Sequence, residues 1–184
     1  MSDVVVVDYG AGNTRSVRAA LTHLGRTSVL TNDPSFIVEA PFVILPGVGS
    51  ARSAMARLAT TGADGALRQR FEEGRATLGI CLGMQLAMTS SEEDGGVECL
   101  GLLSGNVVRL HDGRVPRLGW SIVEPWGDAF YFAHSYAVRS PDAIAIVDNV
   151  VVAVRRDAFL GVQFHPEKSG TAGLEFLDQC LSLV

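Results

Sequence analysis

A chain of 184 residues, 47% of them hydrophobic and 19% charged, is long enough for one domain with its own core and too apolar to be disordered. A formal net charge of −5, with the arginines scattered rather than blocked, excludes nucleic acid as the main partner. The longest apolar runs, such as Val4–Val7 and Val150–Val154, fall far short of the about 20 residues a membrane span needs.

Met1-Ser2-Asp3 enters a strand-like run at once, without the basic region and small-residue cleavage site of a signal peptide, so a cytoplasmic protein is expected. Val4–Asp8 reads as a buried strand. Asn13 stands at an N-cap position, and Val17, Ala20, Leu21 and Leu24 form a helical stripe that stops at Gly25. Phe42–Leu45 is a second buried strand, Leu67–Gly74 closes a helix and Thr77–Ile80 is a further strand. Strands separated by helices predict parallel βαβ units.

The second half changes character. Asn106–Leu110, Ser121–Glu124, Phe130–His134, Ala143–Val147, Val150–Arg155 and Phe159–Phe164 are short strands with brief connections, expected to pair as hairpins. Asp148-Asn149 supplies turn residues between two of them. A helix over about Ala172–Leu183 closes the chain. The expected architecture is a single domain over residues 1–184. It is a three-layer α/β sandwich around a mostly parallel sheet, with an antiparallel β portion in the second half.

Three cysteines, Cys81, Cys99 and Cys180, are too few and too widely spaced for a disulfide framework or a zinc set. No metal or organic cofactor is expected. Cys81 has a context of its own. In Gly79-Ile80-Cys81-Leu82-Gly83-Met84-Gln85 it sits between two glycines, after a strand and before a helix. That is a nucleophile elbow with cysteine in place of serine. The helix N-terminus beneath the sulfur favours a thiolate, and the N–H of Leu82 is free to hold an oxyanion. Cys180 reads as core, and Cys99 as a partly buried loop or strand residue.

A thiol nucleophile needs a base, and the base an orienter. His23 and His111 read as solvated. His165 ends the apolar run Leu160–Phe164, so a strand end delivers its imidazole to the edge where the elbow opens. Glu167, just past Pro166, can turn back to fix the imidazole tautomer. Cys81, His165 and Glu167 thus take the three roles of a triad. A second oxyanion donor is available in Leu45-Pro46-Gly47-Val48-Gly49-Ser50, a loop rich in unhindered N–H groups. Gly10-Ala11-Gly12-Asn13 has phosphate-loop spacing, but no acidic residue follows for ribose recognition, which argues against a dinucleotide site.

These segments resemble the class I (triad) glutamine amidotransferases, and within them the glutaminase subunits of imidazole glycerol phosphate synthase. The similarity extends over Asp8–Asn13, Leu45–Ser50, Gly79–Ala87, Gly105–Val108, Pro116–Trp120, Tyr131–Tyr136 and Gly161–Gly170. It implies a flavodoxin-like fold and hydrolysis of glutamine through a thioester on Cys81. Gly47, Val48 and Leu82 would serve the oxyanion, and Gly49, Gln85, Ser135 and Tyr136 would hold glutamine. The implied partner is a (β/α)8 cyclase subunit, docked in a heterodimer at Asn13, Trp120 and Lys168. It would receive ammonia and make imidazole glycerol phosphate and aminoimidazole carboxamide ribotide in histidine biosynthesis. A peptide flip near Val48-Gly49 is the activation step the resemblance implies. Two features depart from the pattern: Arg117 stands where a histidine is usual, and the stretch from Ala137 to Leu160 is short. They leave open a paralogous subunit serving another amidating partner. A non-enzymatic binding subunit on the same fold is a further alternative, against which all three triad residues are present.

Overall fold

A computed structural model describes residues 4–10, 12–111 and 113–182. Four consecutive valines, stiff at χ1, make β1 (Val4–Val7), which is buried on both faces. Helix α1 (Thr14–His23) buries the expected stripe of Val17, Ala20 and Leu21 and is followed by Gly25 at φ 71°. The next two elements escape the sequence pattern. Strand β2 (Ser28–Thr31) is a half-buried edge of mixed polarity, and α2 (Pro34–Glu39) is a six-residue helix. Its start is set locally: Pro34 opens the helix and the Asp33 carboxylate accepts the Ser35 N–H at 2.9 Å. Next come β3 (Phe42–Leu45), α3 (Ala51–Thr61), α4 (Ala63–Glu72), β4 (Thr77–Ile80) and the short α5 (Leu82–Leu86). Helix α3 buries only Ala51, Ala54 and Leu58, too small a stripe to stand out in the sequence.

The second half carries β5 (Ser90–Ser91), β6 (Val97–Glu98), β7 (Asn106–Arg109), β8 (Arg117–Val123), β9 (Asp128–His134) and β10 (Tyr136–Arg139). It ends in β11 (Ala143–Val147), β12 (Val150–Arg156), β13 (Phe159–Val162) and α6 (Gly170–Leu181). Strands β5, β6 and β10 were not expected. Strand β8 starts earlier than expected and leaves Glu124 outside, while β13 stops before Phe164. The expected helix end at Leu183 lies outside the described residues. Asp148 and Asn149 form the tight turn of the β11–β12 hairpin, with φ of 51° and 61°.

The main sheet runs in the order β2-β1-β3-β4-β13-β12-β10-β7-β5-β6, with β11 added on β12. From β2 to β13 all neighbours are parallel. Strand β13 departs from the hairpin expectation. It is antiparallel to β12 but parallel to β4, because it returns to fill the fifth place of the parallel sheet. The pair β8–β9 forms a separate antiparallel sheet.

Helices α2, α3 and α4 cover one face of the main sheet, where Ile37, Leu58 and Leu67 pack on Val5, Val43 and Leu45. On the other face α1, α6 and β9 bury Leu21, Leu177, Phe130 and Phe132 against Val4, Ile44 and Ile80. Phe130 stacks on Phe164 at 4.1 Å between ring centres, and Phe176 and Trp126 meet them edge-on. Arg70 is 0% exposed. Its guanidinium donates to the carbonyls of Ile37, Val38, Ala40 and Ala76, tying the end of α2 to α4. Burial lowers its pKa to about 10. No described helix is long and apolar enough to cross a membrane.

Candidate active site

Strands β4 and β13 end side by side, with Val162 paired to Ile80, and the chemistry sits just beyond both ends. Cys81 has φ 52° and ψ −105°, a conformation side chains rarely adopt. Its N–H donates to the Val162 carbonyl at 2.7 Å, and its own carbonyl accepts the N–H groups of Met84 and Gln85, starting α5. The flanking glycines are sterically required. A Cβ on Gly79 would lie 2.9 Å from the Gly83 backbone, and one on Gly83 would strike the Leu45 carbonyl. Gly47 is pressed on the same corner: a Cβ there would lie 2.7 Å from the Gly83 nitrogen. The Gly47 loop and the head of α5 at Leu82 therefore share one site, the arrangement an oxyanion hole needs. The Tyr9 hydroxyl holds that loop by donating to the Pro46 carbonyl at 2.7 Å. Burial and the nearby Cys81 push the Tyr9 pKa up.

His165 is held first by its backbone. Its N–H donates to the Tyr131 carbonyl at 2.9 Å, and its carbonyl accepts the Ser169 hydroxyl at 2.7 Å. Ser169 Oγ in turn accepts the Tyr131 N–H at 3.0 Å, so β9 grips the histidine twice. A single 3-10 turn, Pro166–Lys168, then brings Glu167 back. His165 Nδ1 meets Glu167 Oε1 at 2.9 Å, with the Glu167 side chain 1% exposed. Burial alone would lower the imidazole pKa. Hydrogen bonds and charge from Cys81 and Glu167 outweigh it and raise the pKa to about 9. The favoured state of His165 is therefore the imidazolium.

Asn13 stands at the N-cap of α1, as expected, yet its side chain makes no cap hydrogen bond. Instead Nδ2 donates to Glu167 Oε1 at 3.0 Å. That oxygen accepts from two directions, while Glu167 Oε2 has no partner among the described residues. Gln85 is buried, and its Nε2 donates both to the Tyr136 carbonyl and to Gln163 Oε1, each at 3.0 Å. Ser135 and Tyr136 are half-buried beside it. Val48 and Gly49 are exposed, and Gly49 sits at φ 100° with nothing within 4 Å of where a Cβ would be.

Trp120 is 57% exposed, with its ring edge-on to Tyr131, so it is not a core tryptophan. Lys168 is exposed one residue from Glu167. His23 and His111 are exposed, Cys180 is core, and Cys99 is buried rather than half-buried. Arg117 reaches from β8 to Asp148 at 2.9 Å and lies over the Phe132 ring. Besides Tyr9, two buried residues were not expected at the site. Gln163 donates to Cys81 Sγ at 3.4 Å. His134 Nδ1 bonds the Tyr136 carbonyl at 2.9 Å while burial lowers its pKa to about 4, so it is neutral. The signal for Gln163 was its polarity inside the apolar run Phe159–Phe164 (a buried amide requires partners).

The described geometry has counterparts in known proteins. The family model for glutamine amidotransferase class-I matches residues 5–182. The chain is 43% identical to "Imidazole glycerol phosphate synthase subunit HisH" of Symbiobacterium thermophilum, across 96% of this chain and 92% of that one. It is 44% identical to the protein of the same name in Exiguobacterium sibiricum, across 96% and 93%. Among solved structures, a "glutamine amidotransferase" superposes with a TM-score of 0.82 at 24% identity, over 98% of this chain and 99% of that one. PurLQS from Thermotoga maritima gives 0.68 at 19%, over 100% and 99%. These two likenesses bear on the fold. With the family model spanning nearly every residue, the chain belongs to the class-I glutamine amidotransferases.

Proposed function

We propose that the chain, working as one domain, hydrolyses glutamine and hands the ammonia to a (β/α)8 cyclase subunit of imidazole glycerol phosphate synthase in the cytoplasm. The observation that carries the proposal is the strained Cys81 facing an imidazole already backed by the buried Glu167.

The steps follow from that geometry. The Cys81 proton resides on His165, leaving a thiolate that attacks the side-chain amide carbon of glutamine. The amide oxygen becomes an oxyanion, received by the N–H of Leu82 and the Gly47–Gly49 loop. His165 gives its proton to the nitrogen, the C–N bond breaks and ammonia leaves. A γ-glutamyl thioester remains. Water then gives a proton to His165 and attacks the thioester, the C–S bond breaks and glutamate departs. Gly49, Gln85, Ser135 and Tyr136 hold the substrate. Trp120 and Lys168 face the cyclase, and Asn13 serves that face through its hydrogen bond to Glu167; the cyclase's products are imidazole glycerol phosphate and aminoimidazole carboxamide ribotide.

The test is glutamine hydrolysis by the purified chain, with and without the histidine-pathway cyclase and its nucleotide ligand. Strong stimulation by the loaded cyclase supports both activity and partner. Silence in both conditions, with Cys81 intact and the chain folded, overturns the histidine-pathway assignment and turns the search to another amidated partner.

A further inference from the structure

Gln163 and Gln85 are two side-chain amides buried at one spot, 0% and 6% exposed. Buried amides persist where their donors and acceptors are matched. Gln163 lies on the chain just past β13, and Gln85 lies on α5. The Gln163 amide faces two ways. Its Oε1 accepts Gln85 Nε2 at 3.0 Å, and its Nε2 points at the Cys81 sulfur, 3.4 Å away. Gln85 Nε2 also donates to the Tyr136 carbonyl at 3.0 Å. The result is a continuous path from the Tyr136 backbone on β10, through two amides, to the nucleophile. The same Tyr136 carbonyl accepts from the neutral His134, which fixes it from the other side.

The orientation of each amide follows from the chain of bonds. Gln163 Oε1 receives a donor, so its NH2 end must be the one turned to sulfur. A sulfur that accepts an N–H is stabilised most when it is an anion, because charge-assisted hydrogen bonds are the stronger kind. The donor also restricts the swing of the Cys81 side chain, whose backbone is already fixed at both ends.

We propose that Gln163 is a positioning residue that holds the Cys81 sulfur through an N–H···S hydrogen bond and links that hold, through Gln85, to the β10 backbone at Tyr136. The link to substrate rests on the reading that glutamine binds at Ser135 and Tyr136; the hold on sulfur does not. Binding at β10 then tightens or loosens the aim of the nucleophile through the two amides.

The experiment is alkylation of Cys81 by iodoacetamide in the wild-type chain, Gln163→Glu and Gln163→Met, with Cys81→Ala to subtract Cys99 and Cys180. Gln163→Glu keeps shape and acceptor but removes the donor. The expected loss in alkylation rate at pH 7 is roughly ten- to hundred-fold, larger for Gln163→Glu, and the deficit narrows at higher pH. A deficit equal at all pH values would mark a merely structural role and overturn the proposal, as would wild-type rates. In the complex with cyclase, kcat falls in Gln163→Met more than KM rises. A second measurement needs no variant: the Gln163 side-chain NH2 resonances of the wild-type chain shift when Cys81 is alkylated, and unmoved resonances overturn the proposal. Cys81 alkylating fast in a chain that never hydrolyses glutamine would sink the glutaminase reading and leave the sulfur contact standing.

Discussion

The parallel and antiparallel halves of the molecule are built on opposite rules. Strands β1, β3 and β4 are buried at every position, sealed by helices on one side and by helices or β9 on the other. Strands β8 and β11 alternate, with Leu118, Trp120, Ile122, Ile144 and Ile146 turned to solvent. The first half cannot move without opening a core, so it fixes Cys81. The second half has surface to spare, and the grip of β9 on His165 links that surface to the site. The lesson is a division of labour: depth is placed under the sulfur, and exposed apolar surface on β8 and β11.

The sharpest way to break that comparison is at the sulfur. Cys81→Ala is expected to lower glutamine hydrolysis by roughly 10⁴-fold or more, with the thermal unfolding midpoint within a few degrees of wild type. Hydrolysis that survives moves the nucleophile elsewhere. His165→Asn should cost nearly as much, and it also tests pH. The imidazole pKa is raised from 6.5 to about 9, so the charged form stabilises the fold fully below pH 6.5 and ceases to as pH rises through 9. The stability gap between wild type and His165→Asn, measured by urea unfolding, should therefore shrink between those values. A gap that widened would mean the buried imidazole is neutral.

Within the first half, Arg70→Leu strands four backbone carbonyls and should cost about 3 kcal/mol in urea unfolding, although Arg70 is remote from the chemistry. In the second half Trp120→Ala should weaken cyclase binding by about thirtyfold in calorimetry, with little change in the chain's own stability. Unchanged affinity would make Trp120 a bystander. The smallest effect belongs to Arg117→Ala, whose pair with the largely exposed Asp148 is worth under about 1 kcal/mol. A larger loss would mean that its packing on Phe132, within the β8–β9 sheet, adds to that pair.

How much could be read in advance follows the same division. The fully apolar strands and the elbow were legible because one requirement, a doubly buried strand or a glycine-flanked turn, leaves one reading. Helix α3 was lost in its alanines, β2 in its mixed edge, and β10 because only Ser135 separates Tyr136–Arg139 from the end of β9. At the site, His165 and Glu167 could be placed because two residues of separation hold them together. Gln163, Tyr9 and the inward turn of Asn13 could not, since their partners lie 37 to 154 residues away.

The backbone at Cys81 also gives the chain's history a direction. At φ 52° and ψ −105° glycine would sit more easily than any other residue. Cys81→Gly should thus fold into the same shape and melt later than the native chain, by roughly 1 kcal/mol of relieved strain. The tension is present at every moment, whether or not glutamine arrives. A descendant with no use for ammonia drifts downhill toward glycine, and the climb back requires accepting a less stable molecule before any activity returns. Chemistry at this position is easy to lose and hard to regain, and its persistence in a sequence is a record of use.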